Sequence, residues 1–346
     1  MPLEIRAETL GLILGSHGPA ELGALRPAGE GDLAQLIALR ERTFGQRVSP
    51  EQWRWKLGRP RSPVANVWVV EAGGRLVFQY AGIPTPVRHL GTDRLAMVSV
   101  DTMTDPEYRR RGLLTKMGPE TYEHWRRAGV AFVLGIPNEQ WGSRAGALGF
   151  VPVSELRWWV RWLDPVRMLA ASVGLRYARS VGQVSAARSR SASFDVSSIS
   201  DPSPFDDLWR RTGEEGVIRD AAWFRWRYLE AVPAWSVLGA WRERKAVGAV
   251  AFRLDSVPER PSGTIGEVVA LELPSMRALL EAACQSLRRQ GAVRVALLIQ
   301  PGSVLEQAAL ATGFIPRRFA FSVQAIDLGG GLPSAGHFQG GDFDVV

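Results

Sequence analysis

Arg126-Arg127-Ala128-Gly129 leads through an apolar run to Gly149-Phe150-Val151-Pro152, and Arg288-Arg289-Gln290-Gly291 leads through another to Gly313-Phe314-Ile315-Pro316. In each passage a glycine stands where a helix C-cap belongs, and the apolar run after it reads as a buried strand. The next glycine follows 20 residues later in the first passage and 22 in the second. Upstream, Trp53-Arg54-Trp55-Lys56 is echoed by Trp223-Phe224-Arg225-Trp226-Arg227, and both precede a hairpin-like pair of apolar segments. A recurrence at several points in the same order predicts an internal duplication of one mixed α/β unit rather than two unrelated domains. A chain of 346 residues has room for two such units.

The first unit reads as a strand at 24–28, a helix from Asp32 to Phe44 closed by Gly45, and a short helix opening at Pro50, a favoured first position. Val67 to Val70, the turn 72–74 and Leu76 to Tyr80 read as a hairpin, and another strand pair turns at Gly91-Thr92 and runs to Thr102. A helix to Ala128, a strand from Val130 to Ile136, a helix from Asn138 to Leu148 and a final pair of strands within 150–163 complete it. The fold class expected is a mixed α/β (α+β) one, with two tandem domains of mostly antiparallel sheet flanked by helices. The divisions expected are a leader at 1–23, the first domain at 24–163, a basic helical linker at 164–200 containing the Ser/Arg-rich run 185–191, the second domain at 201–328 and a tail at 329–346.

Composition removes several function classes. Cys284 is alone and four histidines (His17, His89, His124, His337) show no ligand spacing, so neither a disulfide nor a metal site is expected, and a reducing, cytoplasmic compartment is. The apolar runs are broken by arginine or glycine well short of a membrane span, and the patch 10–15 follows acidic residues rather than the basic flank of a signal peptide. The net charge of +7 favours anionic partners. The arginines are spread along the whole chain, however, and the basic linker has little aromatic interleaving, which disfavours nucleic acid as a partner.

Tyr108-Arg109-Arg110-Arg111-Gly112-Leu113-Leu114 stands where a strand turns into a helix. There, backbone N–H groups converge at the positive end of the helix dipole, Gly112 permits close approach, and arginines add charge-assisted contacts. A merely solvated basic turn would set cations against that dipole. The stretch therefore reads as a pyrophosphate cradle.

These residues, with the following strand, Asn138, helix and Gly149-Phe150, resemble the GNAT superfamily of acetyl-CoA-dependent N-acetyltransferases. The family pattern is Arg/Gln-x-x-Gly-x-Gly/Ala. Arg109 and Gly112 match it, whereas Leu114 replaces the last small residue, as in tandem members sharing Arg-Arg-Arg-Gly-Leu-Leu. The resemblance covers residues 24–163 by motif and 201–328 by architecture.

It implies acetyl-CoA as co-substrate, with its pyrophosphate on the backbone of Arg110, Arg111, Gly112, Leu113, Leu114 and Thr115, assisted by Arg109 and Arg111. It also implies that Thr102, Met103 and Thr104 meet the pantetheine arm and that Asn138, equally a helix N-cap, lies near it. In the second half the corresponding junction is Glu272-Leu273-Pro274-Ser275, with no arginine or glycine, so one acetyl-CoA per chain is expected.

Amine acetylation needs a neutral amine, a stabilised oxyanion and a proton for the thiolate. The tyrosine that many family members use as acid is replaced by Ala145 here. Asp101 and Glu139 are the nearest carboxylates to act as base, and the terminal carboxylate at Val346 is a third candidate, as in some tandem relatives. The tryptophan pairs read either as a lining of the acceptor groove or as core. The function expected is acyl transfer from CoA to an amine of a small molecule such as an amino sugar or secondary metabolite. The alternative is a non-catalytic CoA-binding sensor or scaffold. The acceptor and the oligomeric state are left open.

Overall fold

The computed structural model describes residues 21–58, 62–137, 141–164, 189–191, 194–255, 261–333 and 337–343. In chain order the first half holds β1 (Arg26–Pro27), α1 (Leu33–Phe44), α2 (Pro50–Trp53) continued by a π-helical turn (Arg54–Gly58), β2 (Val67–Ala72), β3 (Arg75–His89) and β4 (Thr92–Thr104). It continues with α3 (Leu113–Arg127), β5 (Val130–Gly135), α4 (Gly142–Ala147) and β6 (Val151–Trp162). The second half holds β7 (Ser189–Ser191), β8 (Phe194–Ser198), α5 (Phe205–Thr212), β9 (Gly216–Val217) and α6 (Ala221–Phe224) with its own π-helical turn (Arg225–Leu229). Then come β10 (Ser236–Arg242), β11 (Lys245–Asp255), β12 (Ser262–Ala270), α7 (Leu273–Arg289), β13 (Arg294–Ile299), α8 (Val304–Ala311) and β14 (Ile315–Asp327). The fold is thus mixed α/β, and from α2 onward the two halves run through the same order of elements.

Local chemistry sets the boundaries. Asp32 stands at the N-cap position of α1 without a side-chain cap bond to the helix; its carboxyl accepts from Gly29 N and through two 2.8 Å bonds from Arg26, whose guanidinium draws it below the ordinary value. Gly45 ends the helix at φ 69°, a conformation that L side chains resist. Ser49 Oγ accepts from the Gln52 N–H, and Pro50 supplies the first turn of α2.

One sheet runs through the molecule in the order β1-β2-β3-β4-β5-β14-β6-β13-β12-β11-β10-β8-β7, with β9 paired to β3. Among the described strands only β4·β5 and β12·β13 pair in parallel, at equivalent places in the two halves. Residues 150–163 were expected to form two strands and form one, β6. Nothing between Val153 and Trp162 can turn the chain, and the antiparallel partner comes instead from β14, which inserts between β5 and β6. In the segment expected as linker, residues 189–191 and 194–198 are strands at the sheet edge. One apolar core joins the halves, from Leu36 and Leu39 of α1 to Trp223, Phe224 and Trp226. Separate cores lie under α3 and under α7. Among the described residues no helix is long and apolar enough to cross a membrane.

Candidate functional site

β4 and β5 pair only from Leu95↔Val130 to Val98↔Leu134, with a register shift between Leu95 and Ala96. Beyond Ser99, β4 follows β3 and leaves β5, so among the described residues the strand edge facing β5 has no partner strand. One residue of β3, Tyr80, lies opposite two of β4, Asp101 and Thr102, where the register shifts between Gln79↔Met103 and Ala81↔Val100. This bulge resets the alternation of faces. Ala96, Val98 and Val100 enter the shared core, and after the bulge Met103 does so in their place. Asp101 takes a left-handed φ of 45°, and its backbone carbonyl accepts from Gln79 Nε2 at 2.8 Å.

Thr102 stands on the bulge with a buried Oγ1 that has no partner among the described residues. Such a group is costly to leave unsatisfied and suits a bound ligand. Thr104 is half-buried at the end of the strand.

The strand then enters a loop tied down on both sides. Asp105 is buried, caps the turn Pro106–Tyr108, and receives Arg42 Nε of α1 at 2.7 Å. Arg109 donates to the carbonyls of Thr104 (3.3 Å) and Thr43 (3.2 Å), so it staples the loop to α1. Arg111 donates to Glu107 O at 2.9 Å and stacks over Tyr108. Arg110 (φ 62°) and Gly112 (φ 70°) are both left-handed, and Arg110 pairs with no described residue. Alternating backbone conformations at a helix start form a concave nest of N–H groups. The N–H groups of residues 110–115 find no acceptor among the described residues, and the first bond of α3 runs from Lys116 N to Gly112 O. Leu113 anchors the helix in the core, while Leu114 packs at its margin and Thr115 Oγ1 bonds Gly112 O.

On the other face of the bulge Asp101 lies between two cations, Arg40 Nη1 at 2.5 Å and Lys56 Nζ at 2.7 Å. Burial alone would raise its carboxyl, but the charges of Lys56 and Arg40 outweigh it and hold Asp101 below the ordinary carboxylate value. Beside it opens a cavity of about 450 Å³ at the seam between the halves. Arg40, Lys56, Trp53 and Trp55 line it from the first half, and Arg227, Pro233 and Arg253 from the second. Trp53 and Trp55 therefore serve as both core and wall. The composition at Arg40, Lys56, Arg227 and Arg253 had not marked them, and only the recurrence of the Trp-x-x segments pointed to this place.

Ala145, where a tyrosine acid would stand, is buried in the core under α3. Tyr80 and Tyr122 occupy that same core with hydroxyls 2.7 Å apart, and Ser99 Oγ donates to Tyr80 at 3.0 Å. Burial pushes the Tyr80 phenol up to about 12 and Tyr122 higher still. Asn138, Glu139 and Val346 lie outside the described residues. Among the described residues no group of three or more His, Cys, Asp or Glu side chains is placed to hold a metal ion.

The equivalent gap in the second half is filled by the chain itself. β12 and β13 pair only as far as Ile265↔Leu297. Past that point Gln339 bonds β12 through its side chain, from Val268 N to Oε1 and from Nε2 to Val268 O, both at 2.8 Å. Its backbone bridges Ile299 of β13. At the start of α7, Glu272 is ion-paired to Arg242 in the place where the first half has its N–H nest.

Residues 24–150 match the family model of the GNAT acetyltransferase domain. No curated protein matches the chain. Among solved structures, a probable N-acyltransferase from Enterococcus faecalis V583 is similar at 14% identity and TM-score 0.65, covering 90% of this chain and 73% of its own. A GCN5-related N-acetyltransferase from Anabaena variabilis ATCC 29413 shares 14% identity at TM-score 0.66, over 89% and 73%. One from Kribbella flavida shares 15% at TM-score 0.60, over 89% and 72%. At such identities the structures speak for the fold, and the family model speaks for the segment that carries the cradle. Residues 24–150 thus carry a GNAT acetyltransferase domain.

Proposed function

We propose that this chain is a cytoplasmic enzyme that moves an acetyl group from acetyl-CoA to the amine of a small molecule by direct attack on the thioester. The observation that carries this reading is the row of N–H groups at residues 110–115 that find no acceptor among the described residues, at the mouth of the gap between β4 and β5. Those N–H groups would hold the pyrophosphate, with Arg110 and Arg111 close enough to add charge. The free edge of Thr102, Met103 and Thr104 would hold the pantetheine arm. Acetyl-CoA supplies the activated acyl group.

The amine would approach from the cavity beside Asp101. With its carboxyl held ionised between Arg40 and Lys56, Asp101 suits an electrostatic and positioning role better than that of a proton acceptor. Tyr80 keeps its proton at neutral pH and is linked through Ser99 to the point where β4 leaves β5. It is our candidate for returning a proton to the thiolate in place of the absent tyrosine.

We further read the chain as a duplication, with residues 24–163 as the cofactor-binding unit, 201–328 as its degenerate copy and one acetyl-CoA per chain. The recurring element order and the self-filled second gap support it. Titration of purified protein with acetyl-CoA should give saturable binding at one site. Arg109→Ala combined with Gly112→Glu should abolish that binding, and its persistence would end the proposal.

A further inference from the structure

The seam cavity has an uneven charge. Among the described residues its lining holds four cations, Arg40, Lys56, Arg227 and Arg253, and one carboxylate, Asp101. Asp101 already serves two of them, through its bonds to Arg40 and Lys56. On the wall from the second half both charged lining residues are arginines. Arg227 is buried, donates to the neutral carbonyls of Gly341 (2.8 Å) and Phe343 (3.0 Å) and stands over the Trp55 ring; among the described residues it makes no direct ion pair, Asp342 being the carboxylate that feels its charge. Arg253 leans on the Trp235 ring, and Asp255, outside the lining, takes only its Nε at 2.8 Å. In a partly dry cavity a net positive lining repels a polycation and attracts an anion. Trp53 and Trp55 add flat apolar walls.

We infer that the acceptor amine also carries an anionic group, a carboxylate or a phosphate-like one, which sits against Arg227 and Arg253 while the amine faces Asp101. A zwitterionic acceptor meets both signs in this lining, whereas a polyamine or a polycationic amino sugar meets repulsion from most of it. This inference rests on the acyltransferase reading, because it takes the seam cavity as the acceptor site.

The test is equilibrium titration of the full chain, with CoA present, against 4-(aminomethyl)benzoate, its carboxamide and the corresponding phosphonate. The carboxylate should bind at least about tenfold more tightly than the neutral amide. The phosphonate arm then ranks the two anions. Arg253→Gln, a change at a partly exposed side chain, should narrow the acid-to-amide ratio by about threefold. Equal binding of acid and amide, tighter binding of the amide, or no binding of any of the three at millimolar concentration overturns the inference. Loss of acetyl-CoA binding in the wild-type control would instead count against the enzyme reading.

Discussion

Trp55 and Trp226 exchange hydrogen bonds, each indole Nε1–H donating to the other's backbone carbonyl, at 2.7 and 2.9 Å, with the rings stacked 6.1 Å apart. Each lies in a π-helical turn at the same place in its half, Arg54–Gly58 and Arg225–Leu229. The contact is thus reciprocal, as an axis relating two copies of one unit would make it. Trp55 is also part of the cavity wall, so the seam that couples the halves and the seam that shapes the candidate acceptor site are the same.

Trp226→Phe should therefore weaken more than its own half. The change removes one donor and strands the Trp55 carbonyl at a half-buried position, at a cost of about 1–3 kcal/mol. Urea unfolding of Trp55→Phe, Trp226→Phe and the double variant forms a thermodynamic cycle, and a coupling of about 0.5 kcal/mol or more is expected. Strict additivity would show that the two bonds do not act together.

Much of this arrangement is legible in the sequence where the determinant is local. Asp32 and Gly45 mark the ends of α1, Ser49-Pro50 marks α2, and the Arg-Arg-Arg-Gly turn marks the cradle, because caps and positive φ are written into a few neighbouring residues. The insertion of β14 between β5 and β6 leaves no such mark, since strand pairing across nearly 200 residues is decided by which edge remains open. The role of Asp101 was half legible. Its place on the strand leading to the loop was evident, but its left-handed backbone and its two cationic partners depend on a bulge and on residues from α1 and the first π-helical turn. The cationic cavity was hidden for the same reason: Arg40, Lys56, Arg227 and Arg253 are ordinary surface-type residues until the seam brings them together.

Asp101 offers a separation of charge from backbone. Asp101→Asn keeps a residue type that tolerates left-handed φ but leaves Arg40 and Lys56 without their counter-charge, and should lower stability by about 2–4 kcal/mol. Asp101→Ala adds backbone strain to the same loss, by about 1 kcal/mol more. Thermal or urea unfolding of the two variants checks the order. An Asn variant as stable as the wild type would remove the argument that this ion triad holds the bulge.

Gln339 satisfies both backbone groups of Val268 in the gap between β12 and β13. Gln339→Ala should leave that N–H and C=O buried and unpaired, for a loss of about 2–4 kcal/mol. It should also speed hydrogen exchange at Val268 while leaving acetyl-CoA stoichiometry at one, because the Glu272 junction offers no anion cradle. A second bound acetyl-CoA in the variant would mean that the tail alone had been excluding it.

His337 begins the segment that fills this gap, and its backbone is held by Glu215 O at 3.1 Å and by Arg219. Burial, reinforced by the Arg219 charge, pushes its imidazole down to about 4 from an ordinary 6.5. The unfolded chain therefore binds a proton that the folded one refuses between those values. Stability from this group is full above pH 6.5 and is lost as pH falls toward 4. Asp342 in the same segment, which burial pushes up to about 7 against Arg219, acts in the opposite direction. Absolute pH profiles thus mix the two, and the difference between wild type and His337→Gln, which retains Asp342, isolates the histidine. Hydrogen exchange over residues 337–343 should show the wild type losing protection relative to His337→Gln between pH 7.5 and pH 5, and a pH-independent difference would mean that the imidazole is not buried neutral.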